Sequence, residues 1–418
     1  MSFLHKVNFI ALKELDMKEA NAEANKSITY PTPRIQRNVF VDLWCNYSTK
    51  MFENFKAGIY EMPVINVKKS KTGDVINIST DLVIKLEPEM IAQGASGEIF
   101  RASCLKGPYS ELIIKRNKYG SSTLKGDFIE ALIHTILFCD QQAKGSYMLT
   151  EMASSLQIPT PFIPRLVYVF MSDTKDKFKS NTYTVMEHLN ETLHSFVMRP
   201  DIDRATIISC LKQVCILLEY LQTKFEFMHR DLHSANVMVH YGDFSNGHDG
   251  SARVALIDFG LSRLKAPVKP TGENIELGFP SSLKAPVRRT RGQDIAPGLT
   301  DSTSMYDITH HYLDKNDFNS TLDLVMLFSS LYANSTFHGI VPEIYDIFLE
   351  PVHRNLKRNN DSTWKPLRNA YNRWNGDDSK LMVDHMENLH FIFYDNGVNI
   401  DFEGCNPKEA LKLLRKLK

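Results

Sequence analysis

Short apolar runs rich in valine and isoleucine predict a small β-sheet in the middle of the chain. Residues 90–93 and 98–104 form two such runs around a glycine-containing turn, which is typical of a hairpin. Residues 111–116 predict the next strand. Residues 183–189, YTVMEHL, are apolar enough for a buried strand that leaves the sheet.

Helical periodicity takes over on either side of this last strand. Residues 127–138 place apolar side chains three and four positions apart, with Asp127 available as the N-cap. Residues 207–221 repeat the pattern over a longer amphipathic helix. Four more helices are predicted towards the C-terminus, at residues 321–332, 342–349, 380–393 and 407–417. Strands with one helix, followed mostly by helices, predict an α+β fold with two lobes.

The same pattern divides the 418 residues into three parts. Residues 1–80 carry no recognisable motif and are interpreted as an N-terminal extension of unknown role. Residues 81–189 form the strand-rich part with the hinge, and residues 190–418 form the mainly helical part. Within the latter, residues 265–300 are rich in proline, glycine and basic residues and predict a long loop.

Composition narrows the classes of function. Lys plus Arg and Asp plus Glu both number 49, so no polyanion-binding signature exists and we expect no nucleic-acid partner. The six cysteines form no CxxC pair or metal-ligand spacing, which indicates reduced thiols in an intracellular protein of the cytoplasm or nucleus. No apolar run approaches the roughly 18 residues of a membrane span, and a signal-peptide core is lacking. We therefore expect neither secretion nor a membrane partner.

The densest chemistry lies in MHRDLHSANVMV, residues 228–239, and in IDFG, residues 257–260. Phosphoryl transfer needs held phosphates, held metal ions and an aimed hydroxyl more than covalent help. Asp231 would accept or orient the proton of a substrate hydroxyl, and Asn236 in the same loop would bind metal. Asp258 would supply a charged ligand for Mg²⁺. The residues between them predict two strands that return Asp258 to Asn236.

Upstream residues supply the remaining parts of such a site. Gly94 and Gly97 would let backbone amides approach phosphate oxygens, although an ordinary tight hairpin explains them equally well. Lys115 would reach the phosphates, whereas a lone strand lysine is more often a solvated edge charge. Glu130 would orient that lysine, or it would instead complete a capping box with Asp127.

With these motifs in this order, the chain resembles a eukaryotic-type protein kinase from about residue 82 onwards. The resemblance implies an enzyme that uses ATP and Mg²⁺, with Mn²⁺ as an alternative, to phosphorylate Ser or Thr hydroxyls of protein substrates. Asp231, Lys115 and Glu130 match the catalytic residues of the family, and Asn236 and Asp258 match its metal ligands. The nucleotide-binding positions fall on Ala92, Gly94, Gly97, Ile99, Lys115, Met186, Glu187, Leu189 and Met238.

Several neighbouring positions gain a role from the same resemblance. Met186 would be the gatekeeper, and the backbone of Glu187 and Leu189 would hold adenine. Asp323 matches the acid that braces the catalytic loop. Arg230 would find its counter-charge either in backbone carbonyls or in a phosphate on the loop that follows Gly260.

Departures from the family pattern keep two alternatives open. Ala92 replaces the usual first glycine, Ile113 a small residue beside adenine, and His233 the lysine common in serine/threonine kinases. His233 together with LIDFGLSRL is reminiscent of haspin-like and some viral kinases, and a viral member would act in the host cell or the virion. HxDLHxxN is also similar to choline and aminoglycoside kinases, and no clear APE motif follows. The alternatives are a pseudokinase scaffold and a small-molecule kinase.

Overall fold

The computed structural model describes the strands and helices that surround the motif-bearing loops. The described residues are 28–29, 34–35, 58–70, 73–93, 97–109, 111–117, 130, 133–138, 140–142, 146–171, 182–241, 252–267, 274–278, 318, 320–332, 335–344, 348 and 406–417. The predicted helix at 380–393 lies outside them.

An eight-stranded sheet occupies the first half of the chain. Its strands are β1 (Ile28–Thr29), β2 (Arg34–Ile35), β3 (Gly58–Ser70), β4 (Gly73–Gln93), β5 (Gly97–Lys106), β6 (Glu111–Asn117), β7 (Leu166–Met171) and β8 (Thr182–Glu187). The order is β1-β2-β4-β5-β6-β8-β7, with β3 paired to β4. Every pairing is antiparallel except that of β2 with β4.

Alternating side chains explain how these strands cover the core. In β4, Leu82, Ile84 and Leu86 are buried while Lys85 between them is exposed, as the pleat of a strand requires. The predicted hairpin and the predicted strand at 111–116 are confirmed, because β4 pairs with β5 and β5 pairs with β6. Strand β8 ends at Glu187, two residues earlier than predicted.

Strand β4 runs through the predicted boundary between residues 80 and 81. Strand β3 lies wholly within the predicted extension, yet it pairs with β4 along its length. Met62 and Val64 of β3 are buried in the same hydrophobic cluster as Leu82. The extension therefore contributes a core strand to the sheet, while the domain boundaries themselves stay predictions.

Helices dominate the rest of the described chain. They are α1 (Ser146–Ser154), α2 (Leu193–Val197), α3 (Arg204–Phe225), α4 (Leu322–Tyr332), α5 (Ser335–Ile340) and α6 (Pro407–Leu414). Glu130 and residues 133–138 are also helical, as predicted for 127–138. The predictions at 207–221, 321–332 and 407–417 are confirmed by α3, α4 and α6. Helix α5 was not predicted, because its sequence STFHGI lacks a clear apolar period, and most of 342–349 lies outside the described residues.

Helix α3 is the central helix of the molecule. It begins after Asp203, whose side chain accepts a hydrogen bond from the Thr206 N–H, and ends at Glu226 in the left-handed conformation. It is the one helix among the described residues that is long and apolar enough to span a membrane, but 72% of its apolar window is buried inside the protein. It packs against α1, α6 and the strand Arg253–Leu256, which identifies it as a core helix.

A buried polar cluster ties α3 to the helical region that contains Glu130. Asp140 has no exposed surface, and its two carboxylate oxygens accept hydrogen bonds from Tyr220 Oη and Lys224 Nζ, each at 2.5 Å. Lys224 Nζ also lies 2.7 Å from Tyr220 Oη. The neighbouring Gln141 accepts the Ile163 N–H at 2.5 Å. These bonds fix the start of the helical part relative to the Glu130 region.

Two small sheets follow α3. The first contains β9 (Glu191–Thr192), β10 (Val237–His240) and β11 (Arg253–Leu256) in the order β11-β10-β9, which confirms the two strands predicted between Asn236 and Asp258. The second contains β12 (Arg263–Pro267) and β13 (Asn274–Gly278). The long loop predicted at 265–300 is therefore wrong in its first part. The proline is tolerated because Pro267 is the last residue of its strand, where a missing N–H costs little.

One hydrophobic cluster extends from the sheet to the last helix. It includes Met62 and Ile114 from the sheet, Leu218 from α3, Phe328 from α4 and Leu414 from α6. The described part of the chain is therefore an antiparallel sheet followed by helices, an α+β arrangement with a shared core.

Candidate active site

Lys115 joins two carboxylates that lie far from each other in the sequence. The lysine is buried in β6, and its Nζ lies 2.7 Å from Glu130 Oε1 and 2.8 Å from Asp258 Oδ1. Of the two interpretations of Glu130, the contact favours the lysine partner, since the carboxylate reaches across to Lys115. Asp127, the alternative partner, lies outside the described residues.

Mutual charge keeps Lys115 and Asp258 ionised despite their burial. Burial alone would lower the pKa of Lys115, but the charges of Asp258 and Glu130 outweigh it and hold the pKa above its usual value. Burial would likewise raise the pKa of Asp258, and the adjacent Lys115 ammonium holds it below the usual value instead. Lys115 is buried whereas the Asp258 side chain is 32% exposed, so the loss of Lys115 would leave two carboxylates without their compensating charge.

Asp231 and Asn236 are held to each other on the loop before β10. Asn236 Nδ2 donates to the Asp231 carbonyl oxygen at 2.8 Å and to Asp231 Oδ2 at 3.2 Å. A single 3₁₀ turn, Ser234–Asn236, ends the loop, and its last N–H donates to the His233 carbonyl at 2.9 Å. Both functional side chains thus come from one hydrogen-bonded turn.

The hairpin β10–β11 brings Asp258 back beside Asn236. The Ile257 N–H donates to the Asn236 carbonyl oxygen at 3.1 Å. Asp258 itself has a φ of 62° and Arg230 a φ of 65°. Such left-handed conformations are strained for most L-residues and concentrate at functional sites. Arg230 precedes Asp231 and is the less usual residue in this conformation, whereas Asp258 is itself one of the clustered acids, so both positions lie within the site.

Asp323 of α4 braces the loop from below, as the resemblance predicts. Its two carboxylate oxygens accept the backbone N–H groups of His229 and Arg230, both at 2.8 Å. Burial raises the pKa of Asp323 to about 6, against the opposing effect of these two bonds and of the Arg230 charge. The backbone that precedes Asp231 is therefore anchored to a core helix.

The environment of the Asp231 carboxyl group disfavours its ionised form, because the group is buried and Asp258 already carries a negative charge nearby. Burial and the nearby charge of Asp258 raise the pKa of Asp231 to about 8, while the Asn236 hydrogen bond and Lys115 act in the opposite direction. The carboxylates of Asp231 and Asp258 both interact with the single positive charge of Lys115. A cation bound between them would relieve this repulsion.

Three aromatic rings pack around Phe259, and the sequence indicated His229 as one of them but neither His134 nor Phe227. His134 and His229 lie 5.2 Å and 5.7 Å from it between ring centroids, and Phe227 lies at 6.2 Å. His134 Nε2 is 3.0 Å from the Pro164 carbonyl oxygen, and His229 Nε2 is 2.8 Å from that of Ile257. The spacing of His134, one helical turn after Glu130, is the sequence signal that identifies it.

Comparison with known families decides what this arrangement is. Residues 137–275 match the family model of the protein kinase domain. The chain contains a protein kinase-type domain. A search of curated proteins found no match. The matched range includes Asp231, Asn236 and Asp258, while Lys115 and Glu130 precede it and are joined to it by the Lys115–Asp258 bond.

The oxygen atoms in the kinase domain fit a magnesium ion. Mg²⁺ prefers oxygen ligands and is commonly bound by one or two carboxylates together with phosphates and water. Asn236 directs its amide nitrogen at Asp231, which leaves its Oδ1 for a cation, and Lys115 uses Oδ1 of Asp258, which leaves Oδ2. No group of three or more His, Cys, Asp and Glu side chains in the described ranges is arranged to hold a metal, so the remaining ligands would be phosphate and water oxygens.

Three of the predicted phosphate-loop residues, Ala92, Gly97 and Ile99, lie on β4 and β5, before the residues that match the kinase model. Ala92 pairs with Ile99, and Ile99 pairs with Lys115 on the next strand. Gly97 begins β5, whereas Gly94 lies outside the described residues. A row of cross-strand neighbours therefore connects the hairpin to the buried lysine.

The predicted adenine-binding residues lie at the junction of sheet and helices. Met186 is buried in β8 and pairs with Ile113. Leu189 belongs to a small cluster against which Met238 of β10 packs. The carboxylate of Glu187 accepts the Arg165 N–H at 2.6 Å, and burial raises its pKa. These contacts bring the four residues into one region, while their roles towards a nucleotide stay predictions.

Proposed function

We propose that this protein is an ATP- and Mg²⁺-dependent protein kinase that phosphorylates Ser or Thr hydroxyls of protein substrates. The observation that carries the proposal is that Lys115 forms hydrogen bonds with both Glu130 and Asp258. It connects the predicted phosphate-binding lysine to Asp258, whose neighbour Ile257 is hydrogen-bonded to Asn236 of the loop that contains Asp231. A chance grouping of charged side chains does not bury a lysine between two acids from distant segments.

The residues divide the work of phosphoryl transfer. Lys115, oriented by Glu130, would bind the phosphates of ATP, and Asn236 and Asp258 would hold Mg²⁺, which would supply positive charge to neutralise the phosphates. Asp231 accepts the proton of the substrate hydroxyl. The hydroxyl oxygen bonds to the γ-phosphorus, and the bond from that phosphorus to the bridging oxygen breaks, so ADP leaves with its electron pair.

The finer architecture follows from the same proposal. A strand-rich lobe would end at the hinge near Leu189, and a mainly helical lobe would carry Asp231 and Asp258, with ATP between the two. Ala92, Gly97, Ile99, Met186 and Met238 would surround the nucleotide. Gly94 would take part from the tip of the hairpin.

The proposed setting is intracellular, in the cytoplasm or nucleus, with proteins as substrates and neither nucleic acid nor a membrane as partner. The equal numbers of acidic and basic residues support the first exclusion. The buried position of α3 removes the one described candidate for a membrane span.

Phosphate transfer from labelled ATP to a peptide library with Ser, Thr and Tyr acceptors tests the function. Asp231→Asn and Asp258→Asn should each lower turnover by about 100-fold or more, because a general base and a charged metal ligand are lost. Glu151→Gln, an exposed carboxylate on α1, is the matched control and should leave turnover unchanged.

Each alternative has its own outcome in this assay. A wild-type chain that gains thermal stability with ATP and Mg²⁺ but transfers no phosphate is a pseudokinase. Transfer confined to a metabolite pool identifies a small-molecule kinase. Near-normal phosphorylation by Asp231→Asn contradicts the assigned role of Asp231.

A further inference from the structure

His233 lies between the two functional residues of the loop, in a position set by the loop's own bonds. Its N–H donates to the Asp231 carbonyl at 3.0 Å, and its carbonyl accepts the Asn236 N–H at 2.9 Å. The residue is extended, with a φ of −108° and a ψ of 168°, so its backbone carries no strain. Backbone hydrogen bonds to Asp231 and Asn236 therefore hold His233 in place between them.

The orientation of the ring determines which nitrogen carries the proton. Nδ1 of His233 accepts the Ala235 N–H at 3.2 Å and so caps the 3₁₀ turn. A ring nitrogen that accepts a hydrogen bond has no proton of its own, so the neutral ring carries its proton on Nε2. Nε2 is thus a hydrogen-bond donor whose direction is fixed by the cap.

This donor lies near Oδ1 of Asp231, the carboxylate oxygen that Asn236 does not bind. Nε2 of His233 lies 3.8 Å from Asp231 Oδ1, too far for a direct hydrogen bond. The other oxygen of Asp231, Oδ2, is already bonded to Asn236. The side chains of His233 and Asp231 are 28% and 24% exposed, so the gap between them is open to an incoming group.

We propose that the substrate hydroxyl binds in this gap, donating to Asp231 Oδ1 and accepting from His233 Nε2. An oxygen atom can lie about 2.8 Å from both groups when they are 3.8 Å apart. The inference rests on the proposed kinase function and names the residue that orients its acceptor.

The arrangement suits the chemistry of a hydroxyl, which has one proton and two lone pairs. The proton passes to Asp231 Oδ1, and one lone pair accepts the His233 hydrogen bond. The second lone pair is thereby aimed at the γ-phosphorus, to which the oxygen bonds while ADP leaves with the electrons of the broken P–O bond. Orientation of a nucleophile in this way accelerates transfer without new charge in the site.

Two substitutions separate this role from a structural one. His233→Asn keeps an oxygen that can cap the Ala235 N–H, since asparagine is a good N-cap, but its shorter side chain no longer places an N–H donor at the position of Nε2. His233→Gln places an amide N–H at about the reach of Nε2. Steady-state kinetics are measured on the full chain with the concentration of acceptor peptide or of ATP varied in turn, and thermal unfolding checks the fold.

For His233→Asn we expect kcat/KM for the peptide to fall about 10- to 100-fold, while KM for ATP stays within about twofold of the wild type. His233→Gln should recover most of the loss. Unchanged peptide kinetics in His233→Asn, a matching rise in KM for ATP, or no recovery in His233→Gln each overturns the proposal. A wild-type chain that transfers no phosphate overturns the proposed function, and this inference falls with it.

Discussion

At the scale of single residues, two buried histidines depend on remaining neutral. Burial lowers the pKa of both His134 and His229 to about 4, and the nearby Lys115 acts in the same direction on His134. Both rings pack on Phe259, whose backbone neighbour is Asp258. Protonation of either ring would place a charge in the core beneath the candidate active site.

We predict that acid weakens the fold through these histidines. In the unfolded chain these two histidines bind protons at about pH 6.5, and in the folded chain only near pH 4. The free energy of unfolding therefore falls as the pH falls through this window. Each histidine contributes up to about 1.4 kcal/mol per pH unit. Denaturant unfolding at pH 7 and pH 5 should show a smaller loss for His134→Leu than for the wild type. His194→Leu, at an exposed position, should behave as the wild type; an equal slope in all three proteins contradicts the assignment.

The positions of the clustered residues were predictable where a motif fixes the spacing, while their roles stay predictions. Asp231, Asn236 and Asp258 were identified from their order, and Lys115 and Glu130 were identified as a candidate pair that the structure brings into contact. His134 was not, because its role depends on which rings meet across helix and loop. The bond of His233 to Ala235 likewise depends on a backbone turn that residue spacing alone does not specify.

At the scale of secondary-structure elements, the Asp140 cluster links the Glu130 region to α3. Burial raises the pKa of Asp140, and the Lys224 charge opposes this effect. Lys224 is the only positive charge among the groups that bond this carboxylate in the described residues. The cluster therefore combines one charge pair with one neutral hydrogen bond.

We predict unequal costs for the two α3 side chains. Lys224→Met should lower the free energy of unfolding by about 3–5 kcal/mol, since it leaves a buried carboxylate unpaired. Tyr220→Phe should cost about 1–2 kcal/mol, because its hydrogen bonds with Asp140 and Lys224 are lost while the charge pair remains. Chemical denaturation measures both. The double variant Asp140→Asn/Lys224→Met should lose less free energy of unfolding than the single variants Asp140→Asn and Lys224→Met lose in sum. Strict additivity would show that Asp140 and Lys224 are not coupled.

Elements with strong periodicity were predicted well, and weakly patterned ones were not. Helices α3 and α4 repeat apolar residues over several turns. Strands β12 and β13 are short and stand in a segment rich in proline and glycine, so composition outweighed their local alternation. Helix α5 forms where packing, rather than sequence period, supplies the stability.

At the scale of the whole molecule, the sheet extends into the region that carries no motif. No motif in the amino-acid pattern indicates that residues 58–70 join the rest, because the motifs begin near residue 90. β3 and β4 are consecutive strands that pair as a hairpin, and the energy of this pairing comes from burial of Met62 and Val64 against a core that other segments complete.

We predict that a chain beginning at residue 81 is less stable than one beginning at residue 58. The shorter chain lacks β3 and the first residues of β4, so it loses the burial of Met62 and Val64, about 3–6 kcal/mol in free energy of unfolding. The longer chain keeps both strands and serves as the control. Thermal and denaturant unfolding compare the two, and equal stability would show that β3 adds nothing to the fold.

The left-handed backbone at Asp258 also limits how this protein can change over generations. Glycine, asparagine and aspartate occupy that conformation at low cost, whereas branched and bulky side chains do not. A descendant that no longer needs the acid is therefore expected to drift to asparagine or glycine before any other residue. A relative that became inactive through such a substitution would then keep the fold of its active ancestor.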